Sequence, residues 1–468
     1  MRVVISNEIK IIDFPEWLLE YCQDKLSIDN PEFEKKIRKG YYIGDTPAVL
    51  NLYRVDGNAL IIPTGSGKLL RGIATKKNSI VDLADNPRND YKLLRQLTLY
   101  DYQDTAVSAM LKHSCGILQS PCGSGKTQMG IAMAIRTGAK CLWLTHTKDL
   151  LTQSYDRAKQ YIDEKLLGTI TSGKINIGRG ITFATVQTLS KQDLSQYKYS
   201  FDMIIVDECH RCSGTPTQVT MFSKVINAIA ARCKYGLSAT VHRSDNLIRT
   251  CTALLGDIVY RVPEAAVEDK TMQVTVLQYN INSEIDIDDY TDAAGMLDYV
   301  ALIKCLVNDV NRNKIIVSQI NDYKGHSQLV LSDRLDHLEQ IKQLLIDSGY
   351  DIAKIRFING KMTSKKAKGD RIQAIEDMRT GKADILLATY TLAKEGLDIP
   401  VLDRLHLALP KKDYAVVTQS IGRIGRKAEG KTDAIAIDYV DNIGYCLNAF
   451  KKRKTSYRKK GCKIIVND

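Results

Sequence analysis

The sequence lacks the features of a membrane-spanning or secreted protein. No apolar run approaches the roughly 18 consecutive residues that a membrane span needs. Residues 1–6 are a poor start for a signal peptide, because charged side chains interrupt the apolar stretch at residues 7–13. The 11 cysteines are scattered along the chain and odd in number, which favours reduced thiols in a cytosol. We therefore expect a cytoplasmic protein without a membrane partner.

Metal-binding and repeat patterns are also missing. Cys209-His-Arg-Cys212 resembles half of a zinc site, but no second CxxC or HxxxH pattern accompanies it. No internal repeat occurs at solenoid spacing, and there is no low-complexity tract. These absences argue against a zinc site and against a repeat array.

Length and charge indicate a multidomain protein that binds a polyanion. The chain has 468 residues, which is enough for roughly three domains. Its hydrophobic content of 44% and charged content of 26% are ordinary for a soluble globular protein. The net charge of +12 is more informative, because an excess of cations favours nucleic acid or an anionic surface. Solubility alone is the alternative explanation of this charge.

Short apolar runs alternate with helical patterns in two blocks, residues 96–263 and 323–468. Almost continuously apolar strands separated by helices predict a parallel sheet that is covered on both faces. The sequence therefore predicts an α/β fold with two parallel-sheet domains, the second with a basic C-terminal tail. Residues 1–95 are predicted to form a small α+β accessory domain that binds nucleic acid, and residues 264–322 a linker with an insertion.

Residues 120–127, Ser-Pro-Cys-Gly-Ser-Gly-Lys-Thr, predict a phosphate-binding loop between a strand and a helix. Glycines let the backbone N–H groups curl around phosphates, and the helix N-terminus adds its positive dipole end. Lys126 can reach the β and γ phosphates, and the hydroxyl of Thr127 can ligate Mg²⁺. Ser120 departs from the strict pattern, which has glycine at this position.

A second glycine-rich stretch, residues 63–68, imitates a phosphate loop. However, Leu69 stands where Mg²⁺ chemistry needs serine or threonine. Residues 70–72, Leu-Arg-Gly, also do not open a long apolar helix. We therefore predict a glycine-rich connection here, with a contact from Lys68 to a phosphate backbone as the alternative.

Two adjacent carboxylates, Asp207 and Glu208, follow an apolar strand that ends at Val206. Open α/β sheets bind ligands at the carboxyl ends of their strands. Asp207 can hold Mg²⁺ through its water shell, and Glu208 can polarise the water that attacks a γ-phosphate. Alone, such a pair would indicate a solvated loop, but beside a phosphate loop it predicts catalysis.

Residues 419–426 contain two arginines, Arg423 and Arg426, three positions apart. This spacing predicts that both lie on one helical face and can point at one anion. An arginine supplied across a domain cleft accelerates phosphoryl transfer on the order of 10³–10⁵-fold in favourable systems. A surface arginine pair is the alternative.

Together these residues resemble the ordered motifs of the superfamily 2 helicases, over about residues 97–426. Residues 239–245 and 311–313 are similar to the branch that contains the XPB-like and phage UvsW-like helicases. The matching segments are residues 99–103 on the adenine side, 120–127 (motif I), 144–148 and 185–188 (motifs Ia and Ic), 207–210 (motif II, DExH), 237–240 (motif III), 329–334 with His337 (motif IV), 389–398 (motif V) and 419–426 (motif VI).

The resemblance implies two tandem RecA-like domains that use ATP and Mg²⁺ to move along DNA. Branch migration, fork regression and unwinding of branched, forked or duplex DNA are the implied tasks, carried out by a monomer in a bacterial or phage-infected host cytoplasm. Two alternatives stay open. One is a helicase for RNA or RNA–DNA hybrids, and the other is an ATP-gated nucleic-acid clamp that does not unwind.

The resemblance also assigns a role to each candidate residue. The protein is expected to contact nucleic acid mainly at its phosphates. Such contacts position a strand without reading its bases. The assignments are Lys126, Asp207, Glu208, Gln419, Arg423 and Arg426 for catalysis, the last three closing on the γ-phosphate from the opposite domain; Tyr102, Gln103, Gly123, Ser124, Gly125, Lys126, Thr127, Gly396 and Asp398 for the nucleotide; Thr127 and Asp207 for Mg²⁺; Thr145, Lys148, Gln187, Thr188, Arg334 and Thr389 for nucleic acid; and His210, Ser238 and Thr240 for coupling.

Overall fold

The computed structural model divides the chain into two compact units, Met1–Ala266 and Val267–Asp468. No helix in the described part of the chain is long and apolar enough to cross a membrane. The structure describes residues 1–75, 77–121, 123–171, 173–213, 216–239, 248–292, 295–358, 365–394, 397 and 399–467.

The first unit begins with a small α+β part, as the sequence predicts. Its five-stranded sheet has the order β5-β6-β2-β1-β7, and β3 and β4 form a separate hairpin. Alternation buries one face of the first two strands, so that Val3, Ile9 and Ile11 lie in the core. The elements are β1 Arg2–Ile5, β2 Ile9–Ile12, α1 Glu16–Leu26, β3 Ser27–Asp29, α2 Pro31–Arg38, β4 Val49–Asn51, β5 Arg54–Asp56, β6 Ala59–Ile62, a 3₁₀ helix Thr64–Leu70 and β7 Ser79–Val81.

An eight-stranded sheet with the order β11-β10-β12-β9-β13-β14-β8-β15 follows. All its neighbouring strands are parallel except β10 and β11. Helices cover the apolar strands, as expected for a parallel sheet. The elements are α3 Asp101–Met110, β8 Cys115–Gln119, α4 Lys126–Thr137, β9 Cys141–Thr145, α5 Lys148–Lys159, β10 Leu167–Thr171, β11 Lys174–Asn176, β12 Ile181–Thr185, α6 Val186–Leu189, β13 Met203–Asp207, α7 Pro216–Ile226, β14 Cys233–Ser238, α8 Ile248–Leu255 and β15 Ile258–Arg261, with 3₁₀ helices at Glu164–Leu166, Ser195–Tyr197 and Cys209–Ser213.

The N-terminal part packs directly on this sheet within the first unit. Lys234, in β14, is fully buried, and its ammonium donates to the carbonyl oxygens of Asn7 at 2.8 Å and Ile226 at 3.1 Å. Burial lowers the pKa of Lys234 to about 8. The side chain of Asn7 in turn donates to the carbonyl oxygen of Asn227 at 2.6 Å. The turn between β1 and β2 is therefore fixed to the larger sheet.

The second unit contains a seven-stranded sheet with the order β18-β19-β17-β20-β21-β16-β22, and all its neighbouring strands are parallel. The basic C-terminal tail forms the last helix and the edge strand of this sheet. The elements are β16 Thr275–Ile281, α9 Tyr299–Asn308, α10 Val310–Asp322, β17 Gln328–Ser332, α11 Leu335–Asp347, β18 Ile355–Ile358, α12 Lys365–Arg379, β19 Ile385–Thr389, α13 Tyr390–Lys394, β20 Arg404–Leu407, α14 Tyr414–Ile424, β21 Ile435–Asp441, α15 Gly444–Lys459 and β22 Lys463–Asn467, with 3₁₀ helices at Glu264–Lys270, Ile287–Tyr290 and Ile352–Lys354.

The structure differs from the predicted linker at residues 264–322. Strand β16 lies inside the second sheet, between β21 and β22, and α10 packs on the same unit. Arg312, in α10, is fully buried and pairs with Asp441 at 2.8 Å while donating to the carbonyl oxygen of Ala408. The partners of β16 lie 160 and 188 residues further along the chain, so the local pattern did not reveal the pairing.

Candidate functional site

The loop between β8 and α4 has the backbone conformation of a phosphate loop. Gly123 and Gly125 adopt left-handed φ angles of 83° and 79°, and α4 begins directly afterwards at Lys126. A Cβ atom at Gly125 would lie 2.4 Å from Nε2 of Gln103, so Gln103 would have to shift and give up its hydrogen bond to Ser124. Glycine therefore provides both the conformation and the space that the loop requires.

Ser120 replaces the first glycine of the strict pattern and ties the loop together. Its buried hydroxyl is hydrogen-bonded to the hydroxyl of Ser124, which donates to the carbonyl oxygen of Pro121 at 2.7 Å. Among the described residues with a side chain, positive φ angles occur at Asp13 and Glu208, so Ser120 is not strained. The departure from the pattern thus adds a hydrogen bond without a conformational penalty.

Tyr102 and Gln103 support this loop from α3. The Tyr102 hydroxyl and the Gln103 amide donate to the carbonyl oxygen of Ser124 at 3.0 and 2.8 Å. The carbonyl of the Gln103 side chain accepts from the backbone N–H of Tyr100, which completes a capping box at the start of α3. Both predicted nucleotide-side residues therefore contact the loop, and their recognition of adenine stays a prediction.

Asp207 ends β13 and Glu208 follows it in a left-handed conformation with φ 50°. Such strain in a residue with a side chain often marks a functional position. Burial, followed by the neighbouring Glu208, raises the pKa of Asp207 to about 6. Burial also opposes the charge of Glu208, but Lys126 and His210 outweigh it and lower the pKa of Glu208 to about 2. Of the two adjacent acids, Asp207 thus binds a proton more tightly than an ordinary carboxylate and Glu208 less tightly.

His210 and Ser238 connect the carboxylates to the phosphate loop. Nδ1 of His210 lies 3.2 Å from Oε2 of Glu208 and 3.0 Å from the hydroxyl of Ser238. The carbonyl oxygen of Ser238 accepts from the backbone N–H of Ser120 at 2.9 Å. One chain of contacts therefore joins three of the predicted motifs. Thr240, the third predicted coupling residue, lies outside the described residues.

Helix α14 carries the predicted arginine motif in the second unit. Gln419 is nearly buried, and its Oε1 has no hydrogen-bond partner within the described ranges. Arg423 donates to the carbonyl oxygen of Leu397. The prediction that both arginines share a helical face is wrong, because α14 ends at Ile424 and Arg426 forms a backbone bridge beyond it. Gly396 and Asp398, the predicted ribose-side residues, lie outside the described residues.

Two family descriptions match the chain. The first, "Type III restriction enzyme, res subunit", covers residues 96–243, and the second, "Helicase conserved C-terminal domain", covers residues 311–428. The chain is 26% identical to the "ATP-dependent DNA helicase uvsW" of Enterobacteria phage T4 over 73% of this chain and 68% of that protein. It is 25% identical to the "DNA 3'-5' translocase XPB2" of Sulfurisphaera tokodaii over 74% of this chain and 82% of that protein.

A solved structure, S. cerevisiae Dbp5 bound to RNA and ADP BeF3, matches with a TM-score of 0.58 at 15% identity, covering 79% of this chain and 90% of that chain. This likeness confirms the fold of two RecA-like domains. The chain is a superfamily 2 helicase. It is of the UvsW/XPB type, as the sequence motifs predicted, and the family hydrolyses ATP.

The helicase has a donor set that fits a magnesium–nucleotide complex. No group of three or more acidic, histidine or cysteine ligands that could hold a metal by itself occurs in the described part of the chain. Mg²⁺ instead favours one or two protein oxygens together with phosphates and water. The hydroxyl of Thr127, in the first turn of α4, and the buried carboxylate of Asp207 can supply those oxygens.

The nucleic-acid candidates of the first unit gather at the ends of two paired strands. Thr145 and Thr185, the last residues of β9 and β12, are register partners. Lys148 is exposed at the start of α5. Gln187 donates to the carbonyl oxygen of His146 at 2.7 Å, and the hydroxyl of Thr188 lies 2.8 Å from that of Thr185. The structure therefore brings these loops together, and their contact with nucleic acid stays a prediction.

Thr145 requires a correction. Its side chain is fully buried, and its hydroxyl donates to the carbonyl oxygen of Thr147 at 3.0 Å. A buried hydroxyl that is already bonded to the backbone supports the loop and does not reach a phosphate. The exposed Lys148 next to it is the better candidate for that contact.

In the second unit, Arg334 and Thr389 follow the same arrangement. Thr389 ends β19 and pairs in register with Ser332 at the end of β17, two residues before Arg334. Arg334 is partly exposed and lies 3.4 Å from Asp336, which is a weak contact. His337 bonds to Ser332 and Asn313, and burial lowers its pKa to about 3, so it is neutral. Because its contact with Asp336 is weak, Arg334 can turn towards a phosphate.

Sequence reasoning missed Lys431, which holds the end of the arginine motif. Its ammonium donates to the carbonyl oxygens of Leu402 at 2.6 Å, Arg426 at 2.8 Å and also Ile424. Burial lowers the pKa of Lys431 to about 8. The position shows no motif in the sequence, because a lysine that binds only backbone carbonyls leaves no pattern in its neighbours.

Proposed function

We propose that this protein is an ATP-dependent DNA helicase or translocase that remodels branched DNA, by branch migration, fork regression or unwinding. The proposal rests on one observation: the candidate nucleotide residues and the candidate nucleic-acid loops lie on the same sheet. Asp207 and the loops of Thr145 and Thr185 follow the carboxyl ends of neighbouring parallel strands. A change at the nucleotide can therefore move the strand-contacting loops directly.

The two relatives above are named for DNA, whereas a relative from Acanthamoeba polyphaga mimivirus is named for RNA, so the names support both polymers and we propose DNA. The alternative of an RNA or RNA–DNA hybrid helicase is favoured by the Dbp5 structure, whose title names RNA. Contacts made mainly to phosphates do not distinguish the two polymers, because both have the same backbone charge. The choice is therefore a matter for experiment.

In the proposed cycle, each catalytic side chain has one task. Lys126 neutralises the charge of the triphosphate, and Glu208, which its low pKa keeps ionised, orients and polarises the attacking water. Bound Mg²⁺, held by Thr127 and Asp207, would neutralise charge on the phosphate oxygens. The arginines at 423 and 426 stabilise the charge that develops on the transferred phosphoryl group.

Coupling between hydrolysis and movement is assigned to the contacts of His210. When the γ-phosphate leaves, Glu208 is free to shift, and His210 transmits the shift to Ser238. Since the carbonyl of Ser238 binds the phosphate loop, this strand end and the loop move together. A variant such as His210→Ala is expected to keep ATP turnover while losing strand displacement.

The test is a panel of substrates with two readouts, ATP turnover and strand displacement. Forks, four-way junctions, R-loops, plain duplexes and single-stranded RNA are compared, with Glu208→Gln as the inactive control. Stronger stimulation and displacement on forks and junctions would support branched-DNA remodelling. Preference for RNA or R-loops would favour the first alternative, and nucleotide-gated binding without displacement would favour the clamp.

A further inference from the structure

Helix α2 ends in an exposed aromatic pair on a basic segment. Tyr42 is 91% exposed and Tyr41 is 58% exposed, and both follow the helix directly. Four cations and no acid occupy the five residues at 35–39, Lys-Lys-Ile-Arg-Lys, and Glu34, the acid that contacts Arg38, lies at the limiting distance of 4.0 Å and is exposed. The ammonium of Lys39 lies 5.8 Å from the centre of the Tyr41 ring. Rings and positive charge are therefore presented together at one surface.

The backbone that carries the pair is fixed at the helix end. Gly40 adopts a left-handed φ of 63°, and its N–H donates to the carbonyl oxygen of Ile37 at 3.0 Å. The N–H of Tyr41 donates to the carbonyl oxygen of Lys36 at 2.9 Å. This is the hydrogen-bond pattern that ends a helix with a glycine in the left-handed region. The first tyrosine thus leaves the helix in a defined direction.

Side chains fix the rest of the loop from inside. Lys36 donates to the hydroxyl of Thr46 at 2.6 Å and to the carbonyl oxygen of Ile43 at 3.3 Å. Fully buried Asn30 donates to the carbonyl oxygen of Pro47 at 2.7 Å. Because the loop is held at both ends, binding through its tyrosines would cost little additional ordering entropy.

We propose that Tyr41 and Tyr42 form a stacking site for unpaired nucleobases, with Lys35, Arg38 and Lys39 binding the adjacent phosphates. Aromatic faces next to a positive groove are the usual means of binding single strands without sequence preference. A protein partner is the less favoured occupant, because the phosphates of nucleic acid complement the excess positive charge of residues 35–39. Lys36 is excluded from the phosphate contacts because it already holds the loop. This inference rests on the proposed nucleic-acid function and adds a second contact region in the N-terminal part.

The test compares three full-length proteins: wild type, Tyr41→Ala/Tyr42→Ala, and Tyr41→Phe/Tyr42→Phe as the matched control that keeps the rings. Each is titrated by fluorescence anisotropy with a single-stranded oligonucleotide and with an abasic oligonucleotide of equal length. Stacking is worth about 1–3 kcal/mol per base, so the alanine protein should bind the normal strand about 5- to 150-fold more weakly. The phenylalanine protein should bind like wild type, and alanine should cost nothing on the abasic strand.

A photocrosslinking experiment gives an independent readout. An oligonucleotide with 5-iodouracil should crosslink to Tyr41 or Tyr42 of the wild-type protein, with the position mapped by mass spectrometry. Equal affinity of the alanine protein, or an equal loss on normal and abasic strands, would overturn the inference. If the alanine protein instead has a lower mass than wild type in light scattering and the same affinity for the oligonucleotide, the tyrosine pair contacts a second copy of the chain. That result would also overturn the inference.

The failure of the broader proposal looks different. If no nucleic acid stimulates the ATPase of the wild-type protein, the nucleic-acid function fails and the stacking site fails with it. If stimulation is normal but the tyrosine pair has no effect on base-dependent binding, only the stacking site fails. Thermal melting of the three proteins is expected to coincide, because neither tyrosine contributes to the core.

Discussion

The first unit contains the sequence Pro-x-Gly-Ser-Gly-Lys twice, at residues 63–68 and at residues 121–126, and folds the two copies differently. In the second copy Gly123 and Gly125 are left-handed and open helix α4. In the first copy neither glycine has a positive φ, and the segment forms the 3₁₀ helix Thr64–Leu70. Six residues therefore do not specify a phosphate loop by themselves.

The sheet that precedes each copy explains the difference. The second copy leaves β8, which has parallel neighbours, and parallel strands need a long crossover connection that is usually a helix. The first copy leaves β6, whose neighbours are antiparallel and require no crossover. After the second copy, helix α4 is buried around its axis, and Met129, Ile131 and Met133 are all fully buried. After the first, Gly72 with φ 79° ends the segment.

The first copy serves instead as a packing joint inside the unit. A Cβ atom at Gly65 would lie 2.5 Å from the backbone nitrogen of Gly256, so glycine is needed for close approach. The hydroxyl of Ser66 donates to the carbonyl oxygen of Ala253, at the end of α8, at 3.2 Å. Lys68 forms a surface ion pair with Asp257. The same residue types thus stabilise the fold at one place and prepare a ligand site at the other.

Of the changes that distinguish the two copies, replacing Lys126 by alanine should have the largest effect on ATP turnover. Lys126 lies within 3.5 Å of the Ser120 and Pro121 carbonyl oxygens and its charge acts on both acids. Loss of a preorganised charge donor is expected to lower kcat on the order of 10²–10³-fold. Steady-state ATP turnover of the purified protein measures this. Normal turnover with an unchanged melting curve would contradict the assignment of the ATP site.

Glycine-to-alanine changes separate the two loops next. Gly125→Ala forces a side chain to 2.4 Å from Gln103 at a left-handed φ, so we expect at least tenfold weaker ATP binding and a cost of about 1–3 kcal/mol. Gly67→Ala is the matched control, because its Cβ would meet only the flexible Cδ1 of Ile9 at 3.3 Å. Nucleotide titration and thermal melting measure both. Equal effects of the two changes would remove the proposed distinction.

The acids near Lys126 and Lys68 differ in burial, and this difference predicts how kcat/KM for MgATP depends on pH. Asp207 is buried and its pKa is raised to about 6, whereas Asp257, the partner of Lys68, is exposed. Below pH 6 the free protein keeps a proton on Asp207, which then cannot hold Mg²⁺. The kcat/KM for MgATP should therefore rise about tenfold per pH unit below 6 and level off above it. Glu208, with its pKa lowered to about 2, does not titrate in this range. A flat profile between pH 5 and 7 would contradict the role of Asp207.

The sequence pattern predicted the structure where neighbouring residues determine it. It did not do so where pairing between distant segments determines it. The loop conformation of residues 120–127 was accessible to the sequence because a strand, a glycine turn and a helix follow one another directly in the chain, and the roles of its residues and of Asp207 stay predictions. The place of strand β16 in the second sheet was missed because its partners are distant, and Thr145 was misassigned because a motif does not show which threonine is buried. The end of α14 before Arg426 depends on the backbone bridge to Thr271, about 150 residues earlier.

Lys68→Ala should have the smallest effect and tests the comparison most directly. Lys68 and Asp257 are 48% and 56% exposed, and such surface ion pairs contribute about 0–1 kcal/mol. In a protein of this size that corresponds to a melting shift of at most about 4 °C. ATP turnover should stay at the wild-type level, because Leu69 provides no hydroxyl for Mg²⁺ and the segment opens no crossover helix. If turnover instead collapsed while the fold remained intact, the phosphate site would belong to residues 63–68. The sheet-based explanation of the two copies would then be wrong, since an antiparallel strand would have produced a functional phosphate loop.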